Sequence, residues 1–155
     1  MHISTKCSIA IHCLLFIHEY GESQRVTSDL LSLSTGSNPV TIRNILSALK
    51  KEGVVAIKPG TGGATLCCPL NEISLYRVCR AIEPDCMERM IGVHGLPSPF
   101  CPVGRNIHGV LESTYQKVRH DVAESLKRVT LADVVADYHR ALAQKEPNEK
   151  TESEH

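Results

Sequence analysis

At 155 residues the chain holds one domain, or a domain with an appended element, and can bury a sizeable core despite having no Trp. Lys+Arg and Asp+Glu both number 17, so overall charge gives no argument for nucleic acid and leaves only local patches to make one. Seven cysteines, an odd number, argue against a disulfide framework. No signal peptide precedes the first helix, and no apolar run approaches the roughly 18 residues of a membrane span, so a cytoplasmic protein is expected. There is no Cys-x-x-Cys, no phosphate-binding glycine loop followed by Lys and Ser/Thr, and no paired carboxylates on a recognisable scaffold; an enzyme is not expected.

In chain order, residues 4–20 predict a helix. Ile3, Ala10, Leu14 and Ile17 form one apolar stripe, and Ile11, Leu15 and His18 a neighbouring one. Cys7 and Cys13 fit small core or boundary positions, and His12 falls mid-helix. Thr27 can cap a second helix over 28–34, whose Leu30, Leu31 and Leu33 would pack on the first. Thr35-Gly36 then makes a turn.

Residues 37–65 organise the rest. Asn38-Pro39 is a helix start, with Asn as cap and Pro at the first helical position. Val40, Ile42, Ile45, Leu46 and Leu49 give one apolar face, while Thr41, Arg43, Asn44 and Ser47 fall largely off it. Gly53 ends the helix, with Lys50 and Lys51 in its last turn, where the dipole favours cations. Val54-Val55-Ala56-Ile57, a Lys58-Pro59-Gly60-Thr61-Gly62-Gly63 tip and a second run over 64–68 predict a β-hairpin. The stretch carries four basic residues against Glu52 alone. A helix with a polar leading face followed by a basic hairpin is the pattern of a winged helix-turn-helix. The expected fold is therefore mainly α with a small β-hairpin wing. Arg43 and Asn44 suit guanine and adenine edges, Asn38 suits phosphate at the helix N-terminus, and Lys58 sits on the wing.

After the hairpin, a short helix over 74–82 ends at Pro84. Residues 83–102 are expected as a long loop with Cys86, His94 and Cys101, a length that tends to carry function. Residues 103–129 predict a long helix striped by Ile107, Leu111, Thr114, Val118, Val122 and Leu126. The small domain cannot cover such a stripe alone, so a second copy is the expected partner. Thr130 caps a last helix to 143, and residues 144–155 read as a polar, disordered tail. The division is thus a DNA-binding domain over 1–82, a sensor-like loop over 83–102, dimerisation helices over 103–143, and the tail. Salt-dependent binding to duplex DNA separates this reading from a winged-helix protein-interaction module, which near-zero net charge also permits.

The chain resembles the Rrf2 family of bacterial transcription regulators. The likeness rests on Ala10-Ile11-His12, the helix Asn38-Pro39-Val40-Thr41-Ile42-Arg43, the wing Lys58 to Gly63, Cys101-Pro102-Val103-Gly104-Arg105-Asn106-Ile107, and Thr130-Leu131-Ala132-Asp133-Val134. It implies a homodimer through the long helix, a winged helix-turn-helix on double-stranded DNA, and control of promoters, with repression as the expected direction. By position it also implies base contacts from Thr41, Arg43 and Asn44, and wing contacts from Lys58 and Thr61. Well-known members hold an iron–sulfur cluster on three closely spaced loop cysteines; here the loop has only Cys86 and Cys101, with fourteen residues between them. No cofactor is therefore expected. A thiol sensor, Cys101 pairing with Cys86 or with a partner cysteine, is the first reading of the loop. The others are an atypical cluster or metal site, with Cys86 and Cys101 as candidate ligands completed by His12 or His94, and an inert loop. Cys67-Cys68 is read as a strand end rather than a redox dithiol.

Overall fold

The structure, a computed structural model, describes residues 4–60 and 62–152, with side chains to residue 145. Among the described residues, seven α-helices and one two-stranded antiparallel sheet follow in order: α1 (Thr5–Tyr20), α2 (Ser28–Thr35), α3 (Pro39–Lys51), β1 (Val55–Lys58), β2 (Gly63–Leu66), α4 (Leu75–Ile82), α5 (Cys86–Met90), α6 (Pro102–Arg128) and α7 (Leu131–Glu152). No helix among the described residues is long and apolar enough to cross a membrane.

Helix starts are written in side-chain chemistry. Ser4 accepts from the Lys6 N–H, Thr27 from the Leu30 N–H, Asn38 from the Val40 N–H at 2.7 Å, and Ser74 from the Arg77 N–H. Each such cap is worth about 1 kcal/mol. Asp133 accepts from both the N–H and the hydroxyl of Thr130 and so fixes the start of α7. The helix-turn-helix corner is equally local. Gly36 is left-handed, the Thr35 hydroxyl donates to the Leu31 carbonyl, and the Ser32 hydroxyl contacts the Ser37 carbonyl. At the end of α3 the Gly53 N–H bonds to the Lys50 carbonyl and the Val54 N–H to that of Leu49. With Gly53 at φ +78° this is a Schellman stop, sealed by the buried pair Leu49 and Val54.

One core joins the first three helices to the wing. Leu14, Leu31, Ile42, Leu49, Val54, Val55 and Ile73 are fully enclosed in it. The wing register pairs Val55 with Leu66 and Lys58 with Gly63. The hairpin is anchored at its base: the Ala64 N–H bonds to the Val26 carbonyl at 2.9 Å, and Gly63 lies so close that a Cβ would stand 2.7 Å from that oxygen. Gly63 also has φ +66°, so the site needs glycine twice over.

Several expectations are revised. Val40, placed on the apolar face of α3, is 54% exposed, because it stands about 200° around the helix from Ile42, on the side away from the core. Lys58 closes the hairpin ladder rather than riding its tip. The loop over 83–102 contains α5, whose Cys86, Met87 and Met90 are buried. The helix expected to stop at 143 continues to Glu152, since Gln144, Lys145 and Glu146 are good helix formers; this replaces the tail expected from 144, whose last three residues lie outside the described ones. α7, expected among the dimerisation helices, is built into the domain itself: Leu131 and Val135 enter the main core, and the Leu131 N–H bonds to the Ile73 carbonyl at 2.8 Å.

Candidate nucleic-acid interface

Because α3 turns about 100° per residue, Val40, Arg43, Asn44 and Ser47 share one stripe, and all four are exposed. Ile42, Ile45, Leu46 and Leu49 anchor the opposite side. Between this stripe and the wing runs an open cleft of about 350 Å³. Arg43 and Ser47 line one wall, Ile57 and Lys58 the other, and Arg25 with Ser28 the floor. The cleft thus gathers three basic side chains and the N-terminus of α2, whose free N–H groups favour an anion.

Thr41 and Asn44 face a second, smaller hollow of about 110 Å³, shared with Lys6, Ala48 and Ile82. Thr41 is half-buried there and stands nearly opposite Arg43 around the helix, so the three residues assigned to base edges divide between two sides of α3. Asn44 bridges the two sides. Asn38 spends its Oδ1 on the cap of α3, which leaves its amide N–H₂ outward. Thr61 lies outside the described residues. Arg25 and Lys6 are additions: neither is within residues 37–65, and only the packing of α1 and α2 against α3 brings them beside it.

Arg77 braces this surface from behind. Its guanidinium donates to the Glu52 carbonyl at 3.0 Å, to the Glu52 carboxylate at 3.2 Å and to the Glu72 carbonyl at 3.3 Å, and it contacts the Cys68 sulfur. One side chain from α4 therefore ties the end of α3 to the base of the wing.

The loop residues are distributed differently from the expectation. Cys101 is exposed at the N-cap of α6. Its setting explains the Cys101-Pro102-Val103-Gly104 phrase: a Cβ on Gly104 would collide with the Ser98 carbonyl, and the Asn106 amide donates to the Pro102 carbonyl at 2.7 Å. His108 Nε2 lies 2.8 Å from the His94 carbonyl, and Arg119 donates to that of Ile91 at 3.1 Å, so the loop is fastened along α6. Cys86 is instead buried beside Cys7 and Cys79, and burial raises its pKa. Cys7 and Cys79 are packed together and act on each other, which raises the pKa of Cys7 and lowers that of Cys79. Burial pushes Cys13 up to about 12. His12 pairs with the Ser34 hydroxyl at 2.9 Å, between α1 and α2.

A helix that presents a polar stripe beside a basic β-hairpin defines a winged helix-turn-helix DNA-binding protein. A family model for Rrf2, described as an iron-dependent transcriptional regulator, matches residues 3–137. The chain belongs to the Rrf2 family, whose members are transcriptional regulators rather than enzymes. It is 32% identical over 133 residues to YwnA of Bacillus subtilis (strain 168), described as an HTH-type transcriptional regulator, with 86% of this chain and 96% of YwnA covered. A solved structure described as a transcriptional regulator from Lactobacillus plantarum is 27% identical with a TM-score of 0.72, covering 94% of this chain and 98% of that one. The oxidized form of Staphylococcus aureus CymR shares the fold at 16% identity and a TM-score of 0.65, covering 87% and 96%. The protein is a DNA-binding transcription regulator.

Iron dependence in the family description prompts a test of the donor set. Among the described residues no three His, Cys, Asp or Glu side chains are grouped to hold a metal ion. Cys86 is turned into the buried thiols, Cys101 lies on the surface, and His12 is engaged with Ser34. Within one chain the candidate ligands Cys86, Cys101 and His12 are therefore not brought together.

Proposed function

We propose that the protein acts in the cytoplasm as a homodimeric repressor whose DNA affinity responds to oxidation at Cys101. The observation that carries the dimer is α6. Over 27 residues it has no buried side chain, and Val103 and Val110 are 68% and 60% exposed beside Phe100 at 93%. Its other end is covered, since Val122, Ala123 and Leu126 pack on α4 and α5. A two-fold pairing of the free end would bury this apolar surface and set two recognition helices for two half-sites.

On each half-site Arg43 and Asn44 read base edges. Lys58, Asn38 and the amides at the start of α2 hold phosphates, and Thr41 shapes the far side of the helix. Where such a dimer overlaps the site at which polymerase binds, its occupancy would block transcription. Cys101 lies next to the apolar patch, so a disulfide from it to a thiol of the partner or to a small thiol would form at the interface itself. Pairing with Cys86 would require α5 to leave the core, which disfavours that choice. The experiment is DNA binding by wild type and Cys101→Ser in reductant and after mild oxidant. The proposal expects oxidation to weaken wild-type binding by more than it changes that of Cys101→Ser. Equal affinity of reduced and oxidised wild type would remove the sensor role and leave the DNA-binding assignment standing.

A further inference from the structure

Three of the seven cysteines meet at a place that neither the DNA interface nor Cys101 uses. Cys7 from α1, Cys79 from α4 and Cys86 from the start of α5 form, with Met87, a buried cluster separate from the main core. Tyr76, Ile82, Val122, Ala123 and Leu126 close it over. Cys7 and Cys79 pack in one buried cluster, so two helices far apart in sequence bring their thiols together. All remain free thiols.

The location gives the cluster an output. Lys6, next to Cys7, lines the hollow shared by Thr41 and Asn44 of the recognition helix. Ile82 lines it too and also packs on the thiol cluster. Two residues before Cys79, Arg77 grips the last carbonyl of α3. A change in how α1 meets α4 is therefore felt at both the flank and the end of the recognition helix.

We infer that Cys7 and Cys79 are a second oxidation site, a dithiol that a hydroperoxide converts to an intramolecular disulfide tying α1 to α4 behind the recognition helix. One sulfur attacks the peroxide and breaks its O–O bond, giving a sulfenic acid and an alcohol, or water when the oxidant is hydrogen peroxide. The second sulfur then attacks the sulfenic sulfur; the S–O bond breaks, and hydroxide leaves with the thiol proton as water. The two thiols give up two electrons and two protons in all, and the peroxide takes up both. The disulfide fixes the two sulfurs about 2.05 Å apart, and a close-packed interior passes on the adjustment of α1 against α4.

The inference is independent of the Cys101 reading, so full-length Cys101→Ser protein is the material for the test. After hydrogen peroxide, alkylation and digestion, mass spectrometry is expected to find the Cys7 and Cys79 peptides joined, two hydrogens lighter than their sum and released by reductant. Affinity for a duplex selected from a random library is expected to differ at least about fivefold between reduced and oxidised forms, the lower end for coupled sites. Cys7→Ala and Cys79→Ala should each abolish both effects; if either fails to fold by circular dichroism, the cross-link in the Cys101→Ser chain decides. Recovery of Cys7 and Cys79 as alkylated thiols, or a cross-link through Cys86 instead, overturns the site. A Cys7–Cys79 disulfide that leaves affinity unchanged overturns its coupling to DNA.

Discussion

Arg43 and Lys58 stand on opposite walls of one cleft, yet their chemistry assigns them different work. Arg43, on the exposed stripe of α3, has the planar fork that matches two acceptors on guanine. Arg43→Ala is expected to cost about 1–3 kcal/mol on the preferred site and much less on unrelated duplexes, read by fluorescence anisotropy against both. Lys58 ends β1 as a point charge. Lys58→Ala should weaken all sequences alike and lower the slope of log affinity against log salt by about 1. Behind them, Arg77→Ala removes the charged hydrogen bonds that close the end of α3. A loss of about 1–2 kcal/mol in urea unfolding is expected, allowing for its partial exposure, and Arg77→Lys should recover little because an ammonium cannot span the same acceptors. Arg77 was not legible as a brace from the chain alone, since its partners Glu52, Cys68 and Glu72 come together only once α4 is docked.

Among elements, the wing and α6 test different claims. Gly63→Ala combines a left-handed backbone with a clash against Val26, whereas Gly60, at φ +81°, has open space around it. Thermal melts should therefore rank Gly63→Ala well below Gly60→Ala; equal melting temperatures would mean that the wing is not held on Val26. On α6, Val110→Glu places a charge in the free apolar stripe and is expected to shift the protein to monomers in analytical ultracentrifugation while leaving its helical circular dichroism intact. The local signals in the sequence carried far here. Caps at Thr27 and Asn38, the stop at Gly53 and the three-and-four spacing in α6 each state an element in short-range chemistry. What escaped them is long-range. Val40 is the local exception, since the two residues from it to Ile42 turn about 200° around α3 and leave it on the solvent side. Cys86 read as a loop cysteine because nothing near it in sequence announces that α5 folds onto Cys7 and Cys79. Arg25 and Lys6 were invisible for the same reason, since the patch was sought within one stretch and is assembled from three.

For the whole molecule, near-zero net charge and a concentrated basic cleft belong together. A chain with little overall attraction for DNA gains its phosphate contacts only where the cleft is presented, so orientation matters more than bulk charge. Two copies joined along α6 would present two such clefts on one side, and a two-fold protein calls for a two-fold site. The most direct measurement is selection of duplexes from a random library by the reduced full-length protein, followed by footprinting of the winners. The account predicts an inverted repeat whose half-sites lie about 34–36 Å apart or a multiple of that, with protection that weakens steeply as salt rises and is lost with Arg43→Ala. Recovery of no preferred duplex, or of a single asymmetric site bound equally well by Arg43→Ala, would contradict it.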